Sequence, residues 1–151
     1  MLTGEMITLI ERFPLGMVAT VRPEGGAAVS PKGTFRVISP TELAFAVIRS
    51  PGTVANIAEA PGVEVGFLDP FARKAVRARG SARTHRRGQP GYLQHFPAFE
   101  ATWPDLAPRM SALVTIALSK VEMVLTPPYD DGATEAEMID AYKAKYGDIY
   151  P

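Results

Sequence analysis

The sequence predicts an α+β domain centred on a small, mostly antiparallel β-barrel. Three observations carry this prediction. About six β-rich segments lie at short spacing between turn residues, three or four helical segments flank them, and the alternating strand–helix units of a parallel sheet are missing. The 151 residues fit one domain, and 46% hydrophobic residues supply a core.

Leu2, Met6, Leu9, Ile10 and Phe13 recur at helical spacing, with Thr3 as a cap and Pro14 closing the segment, so the chain opens on a short amphipathic helix. Gly16 to Val21 is rich in Val and Thr, Arg22 to Gly26 has turn chemistry, and Ala27 to Ile38 is extended again, which predicts a hairpin. After a turn at Ser39 to Thr41, the near-continuous apolar run Leu43 to Ile48 predicts a strand buried on both faces. Thr53 to Ala58 reads as a short helix ending near Pro61, and Val63 to Leu68 as the next strand.

From Arg73 to His85 the residues alternate, placing Arg77, Arg79 and Arg83 on one face and Val76, Ala78 and Ala82 on the other. Gly88 to Pro108 carries several prolines and aromatics and reads as an excursion with a short helix around Gly91 to His95. Ala112 to Leu118 and Lys120 to Leu125 are closing strands. Past Pro128 the composition turns acidic. Thr134 with Glu137 forms a capping box for a terminal helix whose stripe of Met138, Tyr142 and Tyr146 stops at Gly147. Residues 1–151 therefore read as one domain, with 129–151 as a C-terminal helical extension.

Composition excludes several chemistries. With no cysteine there is no disulfide, cysteine–zinc site, iron–sulfur cluster or thiol nucleophile. The 16 basic and 16 acidic residues cancel, so any anion binding is local. His85 and His95 lack a carboxylate at ligand spacing, and no metal is expected. No serine sits in a nucleophile elbow, and no glycine-rich run has dinucleotide-binding or P-loop form. The first residues carry Glu5 and Glu11 within their apolar pattern, unlike a secretory signal, and no stretch reaches the roughly 20 apolar residues of a membrane span, so a cytoplasmic protein is expected.

Two segments carry binding chemistry. Between Val29 and Thr34 a strand is broken by Pro31 and Gly33, which frees backbone amides beside Ser30, Lys32 and Thr34 and so offers a place for phosphate or the polar edge of a ring. The same residues also fit an edge-strand bulge with a solvated lysine. Between Arg49 and Thr53 the chain leaves a buried strand and opens a helix containing Asn56. Unpaired amides there, with Ser50 or Thr53 hydroxyls and the Arg49 guanidinium, make a phosphate site or an ordinary N-cap.

In their order, these segments resemble the pyridoxamine 5′-phosphate oxidase-like split-barrel family of FMN proteins. The resemblance runs through the hairpin, Ser30 to Gly33, the strand Leu43 to Ile48, the Arg49 to Thr53 turn, Asn56 and Ile57 before Pro61, Val63 to Phe67, and Arg77 to Ala82. It implies a six-stranded antiparallel split β-barrel with flanking helices, and a homodimer holding FMN at the subunit interface. It further implies a phosphate held by Lys32, Arg49, Ser50 and Thr53, a ring lined by backbone around Ser30, Gly33, Thr34 and Val47, and a turn stabilised by Asn56. The implied activity is an FMN-dependent oxidoreductase acting on a small organic substrate. Related split barrels bind the deazaflavin F420, and a non-catalytic ligand-binding barrel is a further alternative. The vitamin B6 oxidase itself carries an arginine-rich C-terminal segment where this chain is acidic, so vitamin B6 oxidation is not the expected activity.

Seven of the basic residues fall between Arg73 and Arg87 with no acid among them. The stripe lacks interleaved aromatics, and neither nucleic acid nor membrane is expected as a partner. Arg77 and Arg79 are expected either to pair with the acidic C-terminal helix or to reach toward the cofactor, and Trp103 to anchor packing or to cover a flavin ring.

Overall fold

Met6, Leu9 and Ile10 share one helical stripe, and in the computed structural model, which describes residues 1–151, they are the buried face of helix α1 (Gly4–Arg12). The Thr3 side chain caps that helix by accepting from the Met6 amide at 3.3 Å. Strands β1 (Gly16–Val21), β2 (Ala27–Lys32), β3 (Phe35–Ser39) and β4 (Glu42–Val47) follow. Helix α2 (Pro51–Glu59) precedes β5 (Gly62–Asp69) and β6 (Lys74–Arg86), then α3 (Pro90–Thr102), β7 (Ala112–Leu125) and α4 (Glu135–Ile149).

The strands form one sheet in the order β2-β1-β5-β6-β7-β4-β3, with every neighbouring pair antiparallel. The sheet has seven strands where the resemblance implies six, and the strand bounds differ from the sequence expectation in two places. The extended run from Ala27 breaks at Gly33 and Thr34 into β2 and β3. Conversely, Ala112 to Leu125 is one strand, because Ser119 is a bulge: Arg79 faces Lys120 while Gly80 faces Leu118. A Cβ at Gly80 would collide with the Ala117 carbonyl, so glycine permits the bulged strand to approach.

The sheet is rolled but not closed by a final ladder, which is the split-barrel architecture. Phe35 on β3 packs edge-on to Phe67 of β5 with centroids 4.8 Å apart and lies 5.1 Å from Phe45 of β4, although β3 and β5 are far apart in strand order. Each buried phenylalanine contributes about 1.5–3 kcal/mol. The roll requires Gly16, since a Cβ there would collide with the Phe35 ring and stand 2.9 Å from Phe67.

The apolar run in β4 is buried on both faces. Leu43, Phe45 and Val47 enter the main core with α1 and α2, whereas Ala44 and Ala46 lie under α3 with Tyr92, Phe99 and Met110. Helix α3 is longer than the sequence predicts because burial of Tyr92 and Phe99 outweighs the donor missing at Pro97. Trp103 is part of this packing, 5.8 Å from Phe99. Helix α4 runs through Gly147 to Ile149. Its stripe is held at Arg73, whose guanidinium lies 4.3 Å from the Tyr142 ring centre and donates to the Tyr146 hydroxyl at 3.0 Å. No helix is long and apolar enough to cross a membrane.

Candidate functional site

Pairing of β2 with β1 places Ser30 opposite Val18 and Lys32 opposite Gly16, so both side chains follow the inward alternation of the strand. The turn after β4 then brings Ser50 to the same place. The Lys32 ammonium donates to the Ser30 hydroxyl at 2.9 Å and to the Ser50 hydroxyl, joining residues 18 positions apart. Lys32 is only 8% exposed and has no ion-pair partner. Burial pushes its pKa below the ordinary lysine value, because the ammonium has lost water without gaining a carboxylate.

Ser50 occupies the N-cap of α2, but its side chain makes no cap hydrogen bond. With Pro51 following and no acid in the first turn, the positive end of the helix dipole is uncompensated there. Ser30, Arg49, Ser50, Thr53 and Asn56 line one cavity of about 450 Å³, and Lys32 bridges two of these residues. Arg22 and Glu24, from the turn between β1 and β2, complete its rim. In the sequence those two carry only turn chemistry, and their place at the site follows from the fold of the hairpin.

The remaining residues singled out in the sequence are distributed differently. Gly33 is exposed, with open space where a Cβ would stand. Thr34 is 6% exposed and turns inward: its hydroxyl accepts from the Ala46 amide at 3.0 Å and faces the Ala46 carbonyl at 3.4 Å. Phe35 pairs with Phe45, so the Thr34 side chain extends the β3–β4 ladder by one rung where the backbone departs. The Val47 side chain is in the main core, and its carbonyl accepts from the Ser111 amide at 2.9 Å. Asn56 reaches β1 and donates to the Thr20 hydroxyl at 3.0 Å, fastening α2 to the sheet.

Three of the seven cations of the basic stripe are ion-paired with neighbouring elements. Arg77 pairs with Glu122 and, at 3.5 Å, with Glu64, while Arg79 meets Glu64 at 3.5 Å. These partners sit on the adjacent strands β7 and β5 and replace the expected pairing with α4. Lys74 is the stripe residue that meets α4 by charge, 3.7 Å from Glu135, and it also holds Glu5 of α1 at 2.7 Å. Glu5 and Glu135 hold the Lys74 pKa above its ordinary value, the Glu5 hydrogen bond most strongly. Arg83 and Arg86 have no ion pair.

A profile of the pyridoxamine 5′-phosphate oxidase family matches residues 2–124 of this chain. The solved structure of HupZ from Group A Streptococcus superposes with a TM-score of 0.71 at 23% identity, over 83% of this chain and 96% of that one. An FMN-binding protein from Syntrophomonas wolfei subsp. wolfei superposes with a TM-score of 0.63 at 15% identity, over 80% and 84% of the two chains. An F420 reductase superposes at 0.59 and 19% identity, over 76% of this chain and 94% of that one. At these identities the likeness to the solved structures is one of fold. No curated protein matches the sequence.

Proposed function

Because this chain belongs to the pyridoxamine 5′-phosphate oxidase family, we propose that it binds FMN and acts as an oxidoreductase on a small organic molecule. The observation that carries the reading is the convergence of Lys32, Ser30 and Ser50 beside the uncapped start of α2. A buried ammonium without a carboxylate, two hydroxyls and a helix N-terminus fit a phosphate in charge and in hydrogen-bond capacity. The cavity they border is within the range of about 300–1,000 Å³ usual for cofactor sites.

In this reading Lys32, Ser30, Ser50, Thr53 and Arg49 hold the phosphate. Gly33 leaves room for a ring to approach the backbone, Thr34 braces the turn beside it, and Asn56 keeps α2 at its angle to β1, while Val47 faces the main core and lies outside this cavity. When bound, FMN supplies the hydride or single-electron chemistry, and the protein supplies position and electrostatics. A homodimer with the cofactor at the subunit interface would complete the site.

The deazaflavin F420 is the second reading, favoured by Arg83 and Arg86, which are left free to meet an acidic tail. Ion pairing of Lys74, Arg77 and Arg79 occupies three of the stripe's seven cations, and a small-molecule partner is proposed rather than a nucleic acid. An absorbance spectrum of the purified protein after incubation with FMN and desalting tests the proposal. Retained flavin bands support it. A colourless protein that retains F420 favours the second reading, and one that retains neither favours a non-catalytic ligand-binding barrel.

A further inference from the structure

On the other side of the Arg49–Ser50 turn lies a second cavity of about 700 Å³, between α2 and the paired ends of β6 and β7. Its lining divides by chemistry. Val47, Val54, Ala55, Ala58 and Ala112 provide an apolar floor, while Arg49, Arg86 and Arg87 supply guanidinium groups, and no acid takes part. Arg87 is fixed, donating to the carbonyls of Met110 at 2.7 Å and Pro108 at 3.1 Å. Arg49 and Arg86 are exposed and their side chains have no ion pair or hydrogen bond within the chain. Elsewhere on β6 a glutamate stands beside the cations at 77 and 79, whereas these three, like Arg83, have no carboxylate partner.

We propose that this cavity binds an organic anion with a flat or branched apolar body, its charged end on Arg86 and its body against α2. An apolar floor removes hydrocarbon from water, and guanidinium groups at the edge are suited to bidentate contact with a carboxylate or sulfonate. The Arg49–Ser50 wall is shared with the cavity beside Ser30 and Thr53, so a molecule bound here lies next to the proposed cofactor. Its assignment as the substrate class rests on the flavin reading, whereas the binding itself does not.

The test uses the flavin-free protein and two probes of nearly equal shape, 1-naphthoate and its neutral counterpart 1-naphthamide, with affinity read by calorimetry at low salt. The expected result is that the carboxylate binds at least about tenfold more tightly than the amide, one charge-assisted contact being the difference. Arg86→Gln removes that advantage. Ala58→Phe, which fills the cavity from the exposed face of α2, weakens both probes. Retention of FMN by the same two variants is measured separately, so loss of the flavin reading and loss of this one are distinguishable. Equal binding of acid and amide, or unchanged affinity in both variants, overturns the proposal.

Discussion

Replacing Thr34 with valine removes one hydroxyl from a buried site while closely preserving side-chain volume. The Ala46 amide then loses the acceptor it has at 3.0 Å, in a position where Thr34 itself is only 6% exposed and water has little access. A buried N–H left without a partner costs about 1–3 kcal/mol. For a domain of this size about 2 kcal/mol corresponds to a fall in Tm of roughly 4–8 °C. Thr34→Ser keeps the hydroxyl and loses one methyl, a cost of about 1 kcal/mol, so serine should be the milder change. Urea unfolding of the three proteins gives the order wild type, Ser, Val. Because the hydroxyl is committed to Ala46, FMN affinity of folded Thr34→Val should stay within about threefold of wild type, a shift below one kcal/mol. A valine variant as stable as wild type that has lost FMN would refute this reasoning and make the hydroxyl a cofactor ligand.

Gly16→Ala forces a methyl group against Phe35 and Phe67 and should destabilise by about 1–3 kcal/mol, with Phe35→Leu in the same chain recovering part of the loss in denaturant melts. His85, packed against Gly91 and 2.9 Å from the Thr115 hydroxyl, has its pKa held below the ordinary 6.5 by burial first and then by Arg83 and His95. The unfolded chain therefore takes up that proton first, so stability should fall as pH drops through 6.5 toward the lowered value, and His85→Gln should flatten this dependence in urea melts. Lys32 has the same sign at higher pH: its folded pKa is depressed, so the flavin-free protein should gain stability as pH rises through the window below 10.5. Lys32→Met should lack that gain and be at least as stable as wild type at pH 7.

The strands and their order of appearance are legible in the sequence because alternation and turn chemistry are local properties. The clearest case is β6, where Val76, Ala78 and Ala82 are buried and Arg77, Arg79 and Arg83 exposed, as the period-two pattern requires. Features set by tertiary contact are not legible. Pro97 reads as a helix breaker, yet α3 continues through it because Tyr92 and Phe99 are buried on either side. Ser119 reads as a gap between two strands, and only the space provided by Gly80 shows it to be a bulge.

At the site, Ser30, Lys32, Arg49, Ser50 and Thr53 are recognisable from residue type beside a broken strand and a helix start. The meeting of Ser30 and Ser50 through the Lys32 ammonium depends on the sheet bringing the end of β2 to the end of β4. The partners of Arg77 and Arg79 are likewise set by strand register, which places Glu122 opposite Arg77 and Glu64 opposite Arg79. Arg86 and Arg87 become a cavity wall only because β6 extends past the end of β5 to reach α2 and Ser111.

The most direct test compares FMN with riboflavin, which has the same ring and no phosphate, by fluorescence titration of wild type and Lys32→Met. A phosphate held by Lys32 through charge-assisted hydrogen bonds should make FMN about 10–100-fold tighter than riboflavin in wild type, and most of that margin should vanish in the variant. Equal affinity for the two flavins in wild type, or a margin that survives the loss of Lys32, would contradict the account.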